Sequence, residues 1–213
     1  MSLTALPTVV IVPGLRDHVP DHWQTILGAK IENARSIPPL ETGRLSCDAQ
    51  VAALGEVLLD ISDPVVLVAH SAGVMTTVHW AQRHQRSVKG ALLAAPPDFD
   101  TPLPEGYPAL ESLRENGWTP TPRTPLPFPS IVAASTNDPL ADADRVAGLA
   151  RAWGSPLVVL GPVGPQPVPG QVGAVRRPSA HRQTRMSGPS RRHFHPAASA
   201  LVLPARPRSW RRS

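Results

Sequence analysis

Cysteine is almost missing from the chain. Its single copy, Cys47, cannot form an intramolecular disulfide, which excludes a disulfide-braced secreted scaffold and fits a reducing compartment. Long apolar runs are missing as well. Nowhere do about 18 apolar residues follow one another, so no membrane span is expected. The opening residues "MSLTALPTVVIVPG" lack a basic leader, and their apolar run is broken by Pro13. A signal peptide is therefore not expected, and a cytoplasmic location is. The most informative absence is local: no Asp or Glu occurs after residue 160.

That absence divides the chain. Residues 1–160 hold all 16 acidic residues and 11 of the 21 Lys and Arg, a balance of −5. Residues 161–213 hold the other ten cations, all Arg, together with nine prolines. The overall charge of +5 thus averages two unlike parts. The reading is one globular domain over 1–160 and an Arg/Pro-rich segment of low order over 161–213.

In the first part, apolar runs alternate with helical patterns. "TVVIVP" (8–13), "ARSIP" (34–38), "PVVLVA" (64–69), "KGALLAAP" (89–96), "PSIVAAS" (129–135) and "SPLVVLG" (155–161) read as strands. Helices are predicted over 21–31, 46–62, 72–84 and 139–153. Asp21 is the expected N-cap of the first, and Ser46 or Asp48 of the second. Six strands alternating with helices predict an α/β fold, a mostly parallel sheet covered on both faces. Residues 96–129 depart from the pattern, with ten prolines and one short helix near 109–116. They read as an excursion over the C-terminal edge of the sheet, where ligands of such folds bind, or as a plain surface loop.

The stretch "VVLVAHSAGV" (65–74) ends a strand on a serine among small residues. Ala69 and Gly73 stand two before and two after Ser71, and His70 lies between. A strand that turns sharply into a helix needs small residues at those distances, and it lifts the serine above the sheet as a nucleophile. The competing reading is that Ser71 merely caps the helix. An acid is expected after a later strand, and Asp138 in "STNDPL" meets that requirement; otherwise it is a turn residue. An oxyanion hole needs two backbone donors, for which the N–H groups of Leu15, after Gly14, and of Ala72 are suited. His18 and His22 in "VPGLRDHVPDHWQ" are read as loop-shaping residues.

The combination "VPGL…PDHWQ", "LVAHSAG", "AAP" and "STNDPL" resembles the small serine hydrolases of the RBBP9/YdeN family, in the α/β-hydrolase superfamily. The resemblance covers about residues 8–160. It implies a small, lidless hydrolase with Ser71 as nucleophile and Asp138 as its acid. The implied substrates are small carboxylic esters or related acyl compounds, and the resemblance implies neither metal nor organic cofactor.

The family places a histidine just after the last strand, following a glycine. Here Gly164 is followed by Pro165, which has neither a proton acceptor nor a backbone N–H. The family's closing helix is missing too. His181, His193 and His195 lie far downstream, and holding one at Ser71 would cost about 1–2 kcal/mol per residue ordered. An abrupt gain of Arg, Pro, Ala, Ser and Gly with loss of every acid is what a GC-rich coding sequence yields out of frame. A frameshift between about Leu160 and Pro165 is therefore expected, the alternative being a native basic tail.

Three functions remain. The first is a serine hydrolase impaired by the missing base. The second is a binding or scaffold protein that keeps the pocket. The third is non-specific nucleic-acid binding through the tail, which has ten cations but few interleaved aromatics, so nucleic acid is not an expected partner.

Overall fold

A computed structural model describes residues 6–163. The 161–213 segment, including Pro165 and the three downstream histidines, thus falls almost wholly outside the described residues. Within them, six strands form one parallel sheet in the order β2-β1-β3-β4-β5-β6. The strands are β1 (Thr8–Val12), β2 (Ala34–Ser36), β3 (Val65–His70), β4 (Gly90–Ala94), β5 (Ser130–Ala134) and β6 (Leu157–Val159). The helices are α1 (Trp23–Lys30), α2 (Cys47–Leu59), α3 (Ala72–Arg83), α4 (Leu110–Glu115) and α5 (Ala143–Trp153). The expected α/β-hydrolase architecture is what the chain adopts, with every strand pair parallel.

Two helix starts differ from expectation. α1 is capped by His22, whose Nδ1 accepts the Gln24 N–H at 3.3 Å, and not by Asp21. An imidazole nitrogen two residues before the free amide does the work of a carboxylate, and it leaves Asp21 in the preceding turn. α5 starts at Ala143 rather than near 139. Asp142 accepts the Arg145 N–H at 2.8 Å, so the stronger capping position lies four residues further on.

The direction in which the strands are added decides which face each helix covers. The step from β1 to β2 runs one way across the sheet, and every later step runs the other way. Right-handed crossovers therefore put α1 on one face and α2, α3 and α5 on the opposite one. The second face holds the main core, with Val10, Val12, Leu67, Leu93 and Val132 from the strands and Leu54, Leu58, Met75 and Val78 from the helices. The first face can be followed along one register row: Ile11, Val68, Leu92, Ile131. Ile11 is fully buried beside Gly28 of α1, whereas Ile131 is 47% exposed. Val158 and Leu160 continue the bare end of this face at 45% and 53% exposure. Removing these side chains from water would contribute about 25 cal/mol per Å² of apolar surface. Left bare at a sheet edge, they favour self-association. Replacing Ile131 and Val158 together by Lys is expected to lower aggregation, measured by light scattering, while the wild type melts no higher than the mesophile range of about 45–65 °C. A wild type that stays monodisperse at high concentration would contradict this.

The 96–129 excursion is packed. Phe99, Leu113, Trp118 and Phe128 are buried, and Trp118 Nε1 donates to the Leu45 carbonyl at 2.6 Å. The Asn116 carbonyl accepts the Cys47 N–H at the start of α2, an end of a helix that opens at the C-terminal edge of the sheet. Asp98 is 4% exposed and ties the excursion to α5, accepting Arg145 Nε at 2.6 Å and Thr101 Oγ1 at 3.0 Å. The surface-loop reading therefore fails for its inner half.

Candidate active site

Parallel strands in register bring their C-terminal ends level. Val12 pairs with Ala69, His70 with Ala94, Ala94 with Ala133, and Ala134 with Val159. The segments that follow each strand therefore meet along one edge, and every expected site residue lies there.

At the centre stands Ser71, with φ 55° and ψ −129°. That conformation is disfavoured for a residue bearing a Cβ and costs of order 1–3 kcal/mol. It is held in place by the Ser71 N–H, which donates to the Ala94 carbonyl at 2.9 Å, and by α3, which begins at the next residue. Ser71 Oγ makes no cap bond to the helix, so the plain-cap reading fails. The neighbours explain the small residues. A Cβ on Gly73 would stand 2.2 Å from the Val12 carbonyl oxygen and 2.5 Å from that of Pro13. Ala69 is fully buried between β1 and β4.

The loop after β1 closes on the serine. A Cβ on Gly14 would lie 3.6 Å from Ser71 Oγ. The Gly14 carbonyl accepts the Asp17 N–H at 3.0 Å, closing a turn with Leu15 and Arg16 at its centre. The Leu15 N–H makes no hydrogen bond among the described residues, and Ala72, as first residue of its helix, has no partner inside it.

Gln24 was not singled out by its sequence, yet it sets this geometry. Its buried side-chain amide donates to the Val12 carbonyl at 3.2 Å and the Val68 carbonyl at 2.9 Å. It thereby stitches the ends of β1 and β3 together. The available signal was its spacing four residues before Gly28, which places a polar side chain on the sheet-facing side of α1.

His70 points at the other imidazoles. Its ring centroid is 4.6 Å from that of His22 and 5.8 Å from that of Trp23. Burial, and then the neighbouring His22, push the His70 pKa down to about 4; burial also lowers that of His22. His18 Nε2 lies 3.1 Å from the Ile37 carbonyl. Among the described residues, then, no histidine is hydrogen-bonded to Ser71 or to Asp138. His70 is half-buried and neutral when folded, whereas an unfolded histidine titrates near about 6.5. Between the two values the unfolded chain binds more protons. Stability is thus complete above about pH 6.5 and declines by up to about 3 kcal/mol as pH falls toward about 4. Melting temperature should drop more steeply on acidification in wild type than in His70→Gln; equal slopes would remove this group from the balance.

Two carboxylates follow the central strands. Asp98, after β4, has both oxygens engaged, Oδ2 by Arg145 and Thr101 and Oδ1 by the Asp100 N–H at 3.2 Å. Asp138, after β5, accepts only the Leu140 N–H at 2.9 Å, through Oδ1. Burial raises its pKa, and the Leu140 bond opposes that rise.

No helix among the described residues is long and apolar enough to cross a membrane. No curated protein matches the sequence. Solved structures do. A protein described as a YdeN-like hydrolase from Pectobacterium atrosepticum is 30% identical, with 74% of this chain and 78% of that one covered at a TM-score of 0.62. The ydeN product of B. subtilis shares 18% identity over 73% of this chain and 85% of its own, with a TM-score of 0.57. Est1E from Butyrivibrio proteoclasticus shares 10% over 76% and 81%, also at 0.57. The last two speak for the fold alone. A family model described as "Serine hydrolase" matches residues 9–168, more than half the chain and three residues past Pro165. With its strained Ser71 between a level row of strand ends and α3, the chain belongs to the serine hydrolase family, of the YdeN type.

Proposed function

We propose that the protein is an acyl hydrolase for small carboxylic esters or related acyl compounds, with Ser71 as nucleophile and a weakened proton-transfer step. The observation that carries this reading is the φ 55° conformation of Ser71 with Gly14 against its side chain. A helix cap needs no such strain; an exposed nucleophile does.

In this reading Ser71 Oγ adds to the substrate carbonyl carbon, and the carbonyl oxygen becomes an oxyanion facing the Leu15 and Ala72 N–H groups. Collapse expels the alcohol, which takes up a proton, and water then adds to the acyl-serine to release the acid. Asp138 keeps Oδ2 free of partners among the described residues, ready to orient an imidazole. Proline at 165 leaves that imidazole out, so the serine proton passes to water and acylation is slow. The same proline favours a second reading, a pocket that binds acyl compounds without turning them over.

A serine-directed fluorophosphonate separates the two. Slow, saturable labelling of wild type that vanishes in a folded Ser71→Ala is expected. Equal labelling of both proteins removes Ser71 from the chemistry, and a wild type that never labels supports the pocket without turnover.

A further inference from the structure

We infer that Arg16 is a specificity residue that selects acyl compounds carrying a second, anionic group, a carboxylate, on the acyl side. The inference rests on the acyl-hydrolase reading for the place of the carbonyl and deepens it. Arg16 sits at the centre of the turn closed between Gly14 and Asp17, directly after the Leu15 N–H. Its guanidinium lies over the ring of Tyr107, 5.4 Å from the centroid. Tyr107 belongs to the excursion between β4 and β5, so the contact joins the two segments that flank the Ser71 turn. Stacking on a ring occupies the flat face of a guanidinium and leaves its N–H edge free.

That edge has no protein partner. Arg16 forms no ion pair among the described residues, although Arg44, Arg83, Arg114, Arg123 and Arg145 each do. The neighbouring Asp17 is turned to Arg44 at 3.6 Å, and Glu105, two residues before Tyr107, is not within ion-pair distance. An exposed, ring-supported, unpaired fork beside an oxyanion donor matches a planar carboxylate better than an alkyl chain. The remainder of residues 1–160 is net negative, which makes this cation a local exception where an anionic substrate would arrive. The ligand class is the half-ester of a short dicarboxylic acid, its ester carbonyl at Leu15 and its free carboxylate on Arg16.

Tyr107 is the only tyrosine in the chain, so uniform 3-fluorotyrosine labelling gives one fluorine NMR signal from beside Arg16. Glutarate, as the product-like probe, is expected to move that signal saturably in the full-length protein, whereas neutral glutaramide is not. Arg16→Gln should weaken the glutarate response at least about tenfold, and Arg16→Lys, which keeps the charge without the fork, should fall between. Ser71→Ala should respond like wild type, because binding does not use the hydroxyl. Loss of fluorophosphonate labelling with an intact glutarate response would sink the hydrolase reading alone. An unchanged response in Arg16→Gln, or a signal that glutarate never moves, overturns the role of Arg16 itself.

Discussion

Replacing everything after Val163 by an in-frame segment of the YdeN type, with Gly164 retained and a histidine at position 165, is expected to raise ester hydrolysis by ~10²–10⁴-fold, the usual worth of general-base assistance. The start of that segment is already fixed beside the acid. The Gly161 carbonyl accepts the Thr136 N–H at 2.9 Å and Ser135 Oγ at 3.1 Å, and the Leu160 N–H donates to Ala134 at 2.9 Å. Residues 160–161 are thus anchored to the turn that leads to Asp138. The single change Pro165→His should give less, because a displacement of about 1 Å can cost about 10²-fold. Hydrolysis of short p-nitrophenyl esters measures the gain. It should depend on Ser71, Asp138 and the new histidine together. A parent protein as fast as the chimera would mean that a base already serves Ser71.

Gly73→Ala should abolish the fold. The added methyl would meet two backbone carbonyls at 2.2 and 2.5 Å, and neither Val12 nor Pro13 can retreat. Val12 is hydrogen-bonded into β1, and its carbonyl also accepts Gln24. A clash against backbone on both sides costs at least several kcal/mol, against a typical total of about 5–15 kcal/mol. Gly28→Ala is the matched control. There the methyl would meet Ile11 Cγ1 at 3.5 Å, an ordinary contact, and helix propensity favours alanine by up to about 1 kcal/mol. Denaturant midpoints should therefore move in opposite directions. A soluble Gly73→Ala with an unshifted midpoint would mean that the α3–β1 contact is looser than the structure shows.

Local patterns were legible where one residue type answers one local demand. The six strands followed from continuous β-branched runs, and the Ser71 turn from small residues two positions to either side. Capping was harder to see at α1 and α5. At α1 a histidine replaced the expected aspartate, and at α5 two aspartates, Asp138 and Asp142, competed for one role. The packing of Trp118 beneath Leu45 joins residues 73 positions apart, which no window on the sequence spans. Gln24 is the clearest case of the same kind. Its two acceptors belong to β1 and β3, and only the folded sheet puts them side by side. Asp98 likewise reads as one more loop carboxylate until Arg145 is seen against it.

The strand order has a bearing on how this chain is made. From β3 onward each new strand joins the free edge left by the one before, so the sheet can widen in the order in which a ribosome delivers it. The last bond to the serine turn, from Ser71 to Ala94, becomes available once β4 has emerged. The nucleophile's half of the site is therefore finished by local assembly before the C-terminal quarter of the polypeptide exists. An alteration confined to that quarter spares the serine and strikes the proton acceptor and the bare end of the sheet. Such a lesion disarms the enzyme while leaving a well-formed acyl-binding cleft behind.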